Sequence, residues 1–268
     1  MQVSIEKLDH SGNGISYHNG KIIFIPKAIP GDILDIEITN SYKKYDIGKI
    51  KKIIKFSDKL IAPKCPYYYT CGGCNISNLS YQEQLKFKED KIINIFKKYL
   101  DKDIAPRVLG SKKDFEYRNK ITYQVSNGLI GLVDIDNNFL KIDKCLLVSP
   151  KVNELVLLLQ KEDLSKVSKI VIRECNNGLI LSITGNMKIE NLKKLCIEIY
   201  LNNEKKYSKE EGYLYIDNLK YRVSDKSFFQ INTSNIPTLY NEIIKYGEFT
   251  GKERVIDLYC GVGSISLY

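Results

Sequence analysis

Four cysteines have the spacing of ligands to a metal centre. Cys65, Cys71 and Cys74 form the pattern C-x5-C-G-G-C, and Cys145 follows far downstream. Three thiolates on one tight loop and a fourth at a distance can hold the irons of an iron–sulfur cluster. The two glycines between Cys71 and Cys74 let the backbone fold closely enough for both thiols to face one centre. The spacing therefore indicates a [4Fe-4S] cluster.

Zinc is the alternative occupant of such a site. Structural zinc usually takes two close pairs of Cys or His ligands. This chain offers one close cysteine pair and only two histidines, His10 and His18. The ligand types thus favour iron–sulfur over zinc, with unligated thiols as a third alternative. Cys175 and Cys196 lie inside apolar runs and are expected to be buried, unreactive thiols.

A second chemical signal lies at the carboxyl end, where Asp257-Leu-Tyr-Cys-Gly261-Val-Gly263 follows an apolar run. The pattern predicts a buried strand ending at Asp257, followed by the first glycine turn of a doubly wound, nucleotide-binding type of fold. Ser266 stands where a dinucleotide fingerprint has its third glycine, which disfavours NAD. An ordinary tight strand–helix turn is the alternative.

Composition limits the class of protein that these residues serve. The 268 residues carry a net charge of +9 and are 43% hydrophobic, as in an ordinary globular protein. No stretch approaches the ~18 apolar residues of a membrane span, and the amino terminus lacks the apolar core of a signal peptide. We expect a soluble, cytoplasmic monomer with reduced thiols. The positive charge favours a polyanionic partner such as nucleic acid.

The elements that must position these residues begin with a small β-barrel or β-sandwich over residues 1–56. Short apolar or alternating runs at 21–25, 33–38 and 46–50 are separated by glycine-rich turns, which is typical of such barrels. The segment from Tyr42 to Lys55 places lysines, including Lys43 and Lys44, beside aromatic residues. Such a surface can track phosphates and stack bases. A merely solvated strand face is the alternative.

Residues 57–226 are predicted to form a mixed α+β domain. Apolar residues recur at helical spacing from Tyr81 to Leu100, and Ser80 with Glu83 has the pattern of a capping box. Strands are expected at 121–125, 129–133, 169–172 and 179–183. Two further helices are expected at 153–160 and 189–201.

These motifs together resemble the RNA 5-methyluridine methyltransferase family, and within it the bacterial 23S rRNA (uracil-5-)-methyltransferases. The opening segment is similar to a TRAM domain, an OB-like RNA-binding barrel. The cysteine pattern is followed by Tyr117-Arg-Asn-Lys120, Ser227-Phe-Phe-Gln-Ile-Asn232 and the Asp257–Gly263 motif, in the family's order. The resemblance implies a TRAM barrel at 1–56, an iron–sulfur domain at 57–226 with a helical excursion at 77–109, and the start of a Rossmann-like catalytic domain at 227–268.

The resemblance also implies roles for individual residues. Cys65, Cys71, Cys74 and Cys145 match the cluster ligands. Five residues match the S-adenosylmethionine site: Gln230, Asp257, Tyr259, Gly261 and Gly263. Ser264 falls where some members have Asn. Phosphate contacts are expected from Lys43, Lys44, Arg118 and Lys120. Because tRNA-modifying relatives typically lack the barrel and the cluster, the resemblance favours 23S ribosomal RNA as the substrate.

The family's chemistry adds a cysteine thiolate to uracil C6, so that C5 can attack the sulfonium methyl group. In the family, the nucleophilic cysteine and the base lie well beyond the glycine motif, so we expect residues 1–268 to be inactive alone. Cys260 is expected to be a small packing residue and no substitute nucleophile.

Two other functions remain as alternatives. The first is a truncated, non-catalytic RNA-binding iron–sulfur protein. The second is a radical methylthiotransferase, which is disfavoured because those enzymes use C-x3-C-x2-C with an open iron.

Overall fold

The computed structural model describes residues 1–268 and divides into two compact units. The first comprises Met1–Gly110 with Val133–Asn138, and the second comprises Ser111–Leu132 with Phe139–Tyr268. Together they contain fifteen β-strands and three α-helices. None of the three helices is both long and apolar enough to cross a membrane.

The first unit is built on a six-stranded sheet with the order β1-β5-β6-β4-β3-β2. All its strand pairs are antiparallel except β4–β6, which is parallel. The strands are β1 (Gln2–Ser4), β2 (Lys7–Leu8), β3 (Gly14–His18), β4 (Lys21–Ile25), β5 (Ile33–Ser41) and β6 (Tyr45–Lys55). The three apolar runs predicted within residues 1–56 are therefore confirmed as strands.

Alternation along these strands creates the core of the first unit. Ile23 and Ile25 on β4, and Leu34 and Ile36 on β5, are almost completely buried. They pack in one cluster with Val3 and other apolar side chains. Because successive strand residues face opposite sides, the intervening residues remain on the outer face of the sheet.

A long helix, α1 (Tyr81–Leu100), follows the cysteine-rich loop in the same unit. The Ser80 hydroxyl accepts a hydrogen bond of 3.3 Å from the amide of Glu83, which satisfies one free N–H group at the helix start. The Glu83 carboxylate pairs instead with the Lys59 ammonium at 2.8 Å. The predicted helix and its serine cap are confirmed. None of its residues is fully buried.

The second unit contains a seven-stranded sheet with the order β13-β12-β11-β10-β7-β8-β9. Its strands are β7 (Lys120–Ser126), β8 (Leu129–Val133), β9 (Phe139–Lys141), β10 (Val167–Cys175), β11 (Gly178–Gly185), β12 (Cys196–Leu201) and β13 (Glu204–Ser208). A hairpin of β14 (Gly212–Ile216) and β15 (Leu219–Val223) and the helices α2 (Pro150–Leu159) and α3 (Ile236–Gly247) complete the unit. The predicted mixed α+β composition of this region is confirmed.

The helix predicted at 189–201 is wrong. A single 3-10 turn covers Glu190–Leu192, and Cys196–Leu201 forms β12. This strand pairs in parallel with β11 and antiparallel with β13, and five of its six residues are buried. Hydrogen bonding on both edges and burial on both faces outweigh the helical spacing of its apolar residues.

The buried strand predicted to end at Asp257 is also wrong. Residues 248–268 form turns and irregular backbone, and Ile256 is 81% exposed. A parallel strand is stable only beside neighbouring strands, and none is present next to this segment. Val262 and Tyr268 instead pack on a core cluster that includes Tyr221, Phe229 and Tyr240.

Helix α2 allows a paired test of this fold. Leu155 is completely buried, whereas Leu157 on the same helix is 51% exposed. We expect Leu155→Ala to lower the free energy of unfolding by about 2–5 kcal/mol, because it removes buried apolar surface and leaves a cavity. Leu157→Ala should change it by at most about 0.5 kcal/mol. Urea unfolding followed by circular dichroism measures both, and equal losses would contradict the assigned helix faces.

Candidate functional site

Three of the four predicted cluster ligands lie on one irregular loop of the first unit. The Cys71 amide donates to the carbonyl of Tyr67 at 2.7 Å, and the amide of Tyr68 donates to the carbonyl of Cys65 at 3.1 Å. These turns bring Cys65, Cys71 and Cys74 into the same region. All three thiols are half-buried.

Gly72 is required for the shape of this loop. Its amide donates to the carbonyl of Val133 at 3.0 Å. A Cβ atom at this position would lie 2.7 Å from the carbonyl oxygen of Asp134, which no real side chain tolerates. Gly72 therefore allows a close approach between the cysteine loop and the segment 133–138.

A buried lysine holds the cysteine loop. Lys27 is 6% exposed, and its ammonium donates to the carbonyl of Cys71 at 2.9 Å and to the carbonyl of Cys74. The ammonium also lies 4.8 Å from the centre of the Tyr68 ring, a cation–π contact. Among the ion pairs of the structure, none joins this ammonium to a carboxylate.

The surroundings of Lys27 act on its charge in opposite directions. Burial lowers the pKa of the ammonium, and the nearby thiols of Cys74, Cys71 and Cys65 raise it. Burial also disfavours a charge on Cys74, so that it raises the pKa of this thiol. The three thiols are therefore close enough to one cation to interact with it electrostatically.

Cys145, the fourth predicted ligand, belongs to the second unit and is held by Asn153 on α2. The Cys145 amide donates to Asn153 Oδ1 at 2.9 Å, and Asn153 Nδ2 donates back to the Cys145 carbonyl at 3.0 Å. In the structure no group of three or more Cys, His, Asp or Glu side chains is arranged to hold a metal ion. The iron–sulfur site thus remains a prediction, and its donor chemistry rests on the three thiols beside Lys27.

The other three cysteines differ in exposure. Cys175 and Cys196 are buried, and burial raises the pKa of each thiol to about 12. The expectation that they are buried is confirmed, and their lack of reactivity stays a prediction. Cys260 is exposed, so the expectation that it is a packing residue is wrong, because the turn that carries it does not enter a sheet.

The predicted glycine turn of the cofactor site is formed. Gly261 and Gly263 have φ values of +61° and +72°, in the left-handed region that favours glycine. The amide of Gly263 donates to the carbonyl of Cys260 at 2.9 Å. Asp257 accepts a hydrogen bond from the Ser266 hydroxyl at 2.6 Å, and the Tyr259 side chain is fully exposed.

Ser264 and Gln230 have partners elsewhere in the second unit. The Ser264 hydroxyl lies 2.7 Å from the hydroxyl of Tyr240. Gln230 is half-buried, and its carbonyl accepts a hydrogen bond of 2.9 Å from Asn119 Nδ2. Asn119 belongs to the Tyr117–Lys120 motif but was not among the predicted site residues. Its short amide side chain carries no separate sequence signal.

The predicted phosphate contacts fall into two groups. Lys43 and Lys44 are exposed in the turn between β5 and β6. Beside them the rings of Tyr42 and Tyr45 are stacked with centres 4.7 Å apart. Exposed cations and aromatic rings are the side-chain types that single-stranded nucleic-acid sites use.

Arg118 and Lys120, by contrast, are half-buried in the second unit. The Lys120 ammonium donates to the carbonyl of Asp225 at 2.8 Å, and burial lowers its pKa. Arg118 and Lys120 are therefore less exposed to solvent than Lys43 and Lys44.

A cleft of about 720 Å³ lies between β2–β4 and α1 in the first unit. The sheet contributes Tyr17 and Phe24, and the helix contributes Lys86, Lys91 and Lys98. Acidic residues line it as well, so its charge is mixed.

Comparison with known proteins finds a matching domain family and similar chains. Residues 1–51 match the TRAM domain. An uncharacterized RNA methyltransferase of Halalkalibacterium halodurans is 27% identical and aligns with 100% of this chain and 69% of its own length. The 23S rRNA (uracil(1939)-C(5))-methyltransferase RlmD of Shewanella sediminis is also 27% identical, over 100% of this chain and 67% of its own length.

A solved structure has the same fold across the whole chain. It is the Pyrococcus abyssi tRNA (uracil-54, C5)-methyltransferase in complex with S-adenosyl-L-homocysteine. The likeness has a TM-score of 0.75 at 22% sequence identity and covers 100% of this chain and 70% of that protein.

The cysteine environments predict a selective pattern of alkylation. At about pH 8 a thiol with a pKa near 12 is almost entirely protonated and unreactive. We therefore expect iodoacetamide to modify Cys260 rapidly and to leave Cys175 and Cys196 unmodified in the folded chain. Peptide mass spectrometry measures the three rates, and urea-unfolded protein is the control. Rapid modification of Cys175 in the folded chain would contradict its burial.

Proposed function

We propose that this chain is a member of the RNA methyltransferase family that it resembles, and that it serves the S-adenosylmethionine-dependent methylation of uracil C5 in 23S ribosomal RNA. The observation that carries this proposal is that RNA methyltransferases align with the entire chain, beginning with its TRAM domain. The relative that acts on 23S rRNA supports the substrate. We further propose that the protein acts as a cytoplasmic monomer.

Different residues of this chain are proposed to bind the cofactor and the RNA. S-adenosylmethionine, when bound, supplies the methyl group. The turn at Gly261 and Gly263 lets a ligand lie against the backbone, and Asp257, Tyr259 and Gln230 are proposed to complete its binding site. A thiolate that adds to uracil C6 is proposed to make C5 nucleophilic, and none of the seven cysteines of this chain is assigned that role.

RNA binding is proposed for the amino-terminal sheet. Lys43 and Lys44 are exposed next to the stacked Tyr42 and Tyr45 rings. Aromatic rings can stack on unpaired bases, and ammonium groups can contact phosphates without reading sequence. Such a surface is suited to an unpaired RNA segment next to the target uridine.

Transfer RNA is the alternative substrate. The Pyrococcus abyssi tRNA enzyme has the same fold over all of this chain, including the amino-terminal unit. The presence of that unit therefore does not separate rRNA from tRNA enzymes, contrary to the expectation drawn from the sequence.

We also propose a [4Fe-4S] cluster bound by Cys65, Cys71, Cys74 and Cys145. The support is chemical. A buried ammonium normally has an anionic partner, and around Lys27 the candidates are the three thiols. Ionised thiolates would balance that charge, and thiolates are the ligands of iron–sulfur clusters. The cluster is proposed to shape the protein, because methyl transfer moves no electrons.

Iron content tests the cluster. We expect chain purified without oxygen to be brown, with absorbance near about 400 nm and about four irons and four sulfides per chain. Cys71→Ser should lose most of the iron, and the exposed Cys260→Ser should retain it. A colourless protein with one zinc would contradict the cluster and leave the RNA proposal standing.

Modified-nucleoside analysis tests the activity. Deleting the gene in its source organism should remove 5-methyluridine from one position of 23S rRNA, and the intact gene should restore it. Mass spectrometry of digested, separated rRNA and tRNA provides the measurement. Loss from tRNA alone would transfer the substrate assignment to tRNA. Unchanged 5-methyluridine in both would overturn the proposed activity and favour a non-catalytic RNA-binding protein.

A further inference from the structure

Residues 224–232, which connect β15 to the start of α3, form an irregular segment that contains Gln230. Irregular backbone has no ladder of strand partners. Its buried carbonyl groups must therefore find hydrogen-bond donors on other parts of the chain. The donors used here lie at the adjacent ends of β7 and β10.

Asn119, immediately before β7, makes two of these bonds. Its amide N–H donates to the carbonyl of Ile231 at 2.9 Å, and its side-chain Nδ2 donates to the carbonyl of Gln230 at 2.9 Å. The Asn119 carbonyl in turn accepts from the amide of Glu174 on β10 at 2.7 Å. Asn119 is 5% exposed and therefore links Gln230 to the sheet from inside the unit.

Two cations make the remaining contacts. Lys120 donates to the carbonyl of Asp225 at 2.8 Å, and Arg173 Nη2 donates to the carbonyl of Ser227. Together with the Asn119 bonds, donors from two strands hold the carbonyls of four residues within one short segment.

The proximity of these two cations is electrostatically unfavourable. Lys120 and Arg173 are directly opposite each other on antiparallel strands, where like charges repel. Arg173 is 1% exposed, and its Nε and Nη1 atoms have no hydrogen-bond partner. The nearby carboxylate of Asp225 accepts from the Ser182 hydroxyl at 3.2 Å. The Asp225 carboxylate also favours the charged form of both cations, and the carbonyls of residues 225 and 227 accept their hydrogen bonds.

We propose that Asn119, Lys120 and Arg173 are positioning residues that hold the Gln230 segment in place for the cofactor, and that Lys120 is not an RNA contact. The cofactor part rests on the proposed function. A ligand contact keeps its geometry only when neighbouring groups fix the backbone that carries it. These three residues supply that support, whereas the exposed Lys43 and Lys44 remain free for phosphates.

Three variants of the 268-residue chain separate this proposal from a general loss of stability. Asn119→Ala removes the side-chain bond to the Gln230 carbonyl, and Lys120→Met removes the bond to the Asp225 carbonyl. Asn177→Ala is the matched control. Asn177 also bonds backbone through its side chain, at the carbonyl of Glu211 and the amide of Tyr213, away from the segment.

Hydrogen exchange of the peptide covering residues 225–232 is the first readout. We expect exchange to be at least tenfold faster in Asn119→Ala than in the wild type, and unchanged in Asn177→Ala. The affinity for S-adenosylhomocysteine, measured by calorimetry, should fall about tenfold in Asn119→Ala, should also fall in Lys120→Met, and should stay unchanged in Asn177→Ala. Unchanged exchange in Asn119→Ala, or faster exchange with unchanged affinity, would overturn the positioning role.

The salt dependence of binding to a 23S rRNA fragment is the second readout. The slope of log K against log salt is negative, and each lost phosphate contact reduces its magnitude by about 0.7–0.9. Lys120→Met should leave the slope unchanged. The double variant Lys43→Met/Lys44→Met should make the slope less steep. A slope reduced by about one contact in Lys120→Met would overturn the assignment.

The readouts also separate this proposal from the proposed function. If the wild type binds neither S-adenosylhomocysteine nor RNA, the proposed function of this chain fails. Hydrogen exchange still decides whether Asn119 holds the segment.

Discussion

Buried carbonyl groups on irregular backbone need hydrogen-bond donors, and this requirement governs both regions of the chain for which a binding site is proposed. Helices and strands satisfy their own carbonyls, but the cysteine loop and the Gln230 segment do not. In the first unit Lys27 supplies the donors to Cys71 and Cys74. In the second unit Asn119 does the same for Gln230. In each unit, a side chain distant in sequence thus donates hydrogen bonds to the carbonyls of the irregular segment.

The same requirement explains why charged groups occur inside the two units. Lys27 and Arg173 are both more than nine-tenths buried, and no ion pair joins either of them to a carboxylate. A buried cation is costly to stability unless its hydrogen bonds and surroundings offset the loss of water. Lys27 gains two carbonyls, an aromatic ring and three nearby thiols. Cations in such places are suited to fix backbone geometry, and the exposed lysines are suited to a polyanion.

The similarity to other proteins concerns the whole chain and not its individual residues. Two RNA methyltransferases are similar in sequence to this chain over its whole length, and the solved structure has the same fold over that length. The likeness does not assign individual contacts. Those contacts come from this chain's own hydrogen bonds, which link Asn119 to Gln230 and Lys27 to the cysteine loop.

Short-range patterns were sufficient for much of the fold. Strand alternation and turn residues located three of the six strands of the amino-terminal sheet, and the Ser80 cap located the start of α1. The sequence also identified the cysteine set, the basic aromatic turn and the glycine turn. Each of these depends on residues close together in the chain, where spacing alone constrains geometry.

Long-range packing decided the rest. Residues 196–201 became a strand because β11 and β13 pair with it, and residues 254–257 did not become one because no strand lies beside them. The burial of Lys27 and the contact between Asn119 and Gln230 join residues far apart in sequence. Local spacing carries no information about such partners. Only the tertiary structure brings a donor to the carbonyl that needs it.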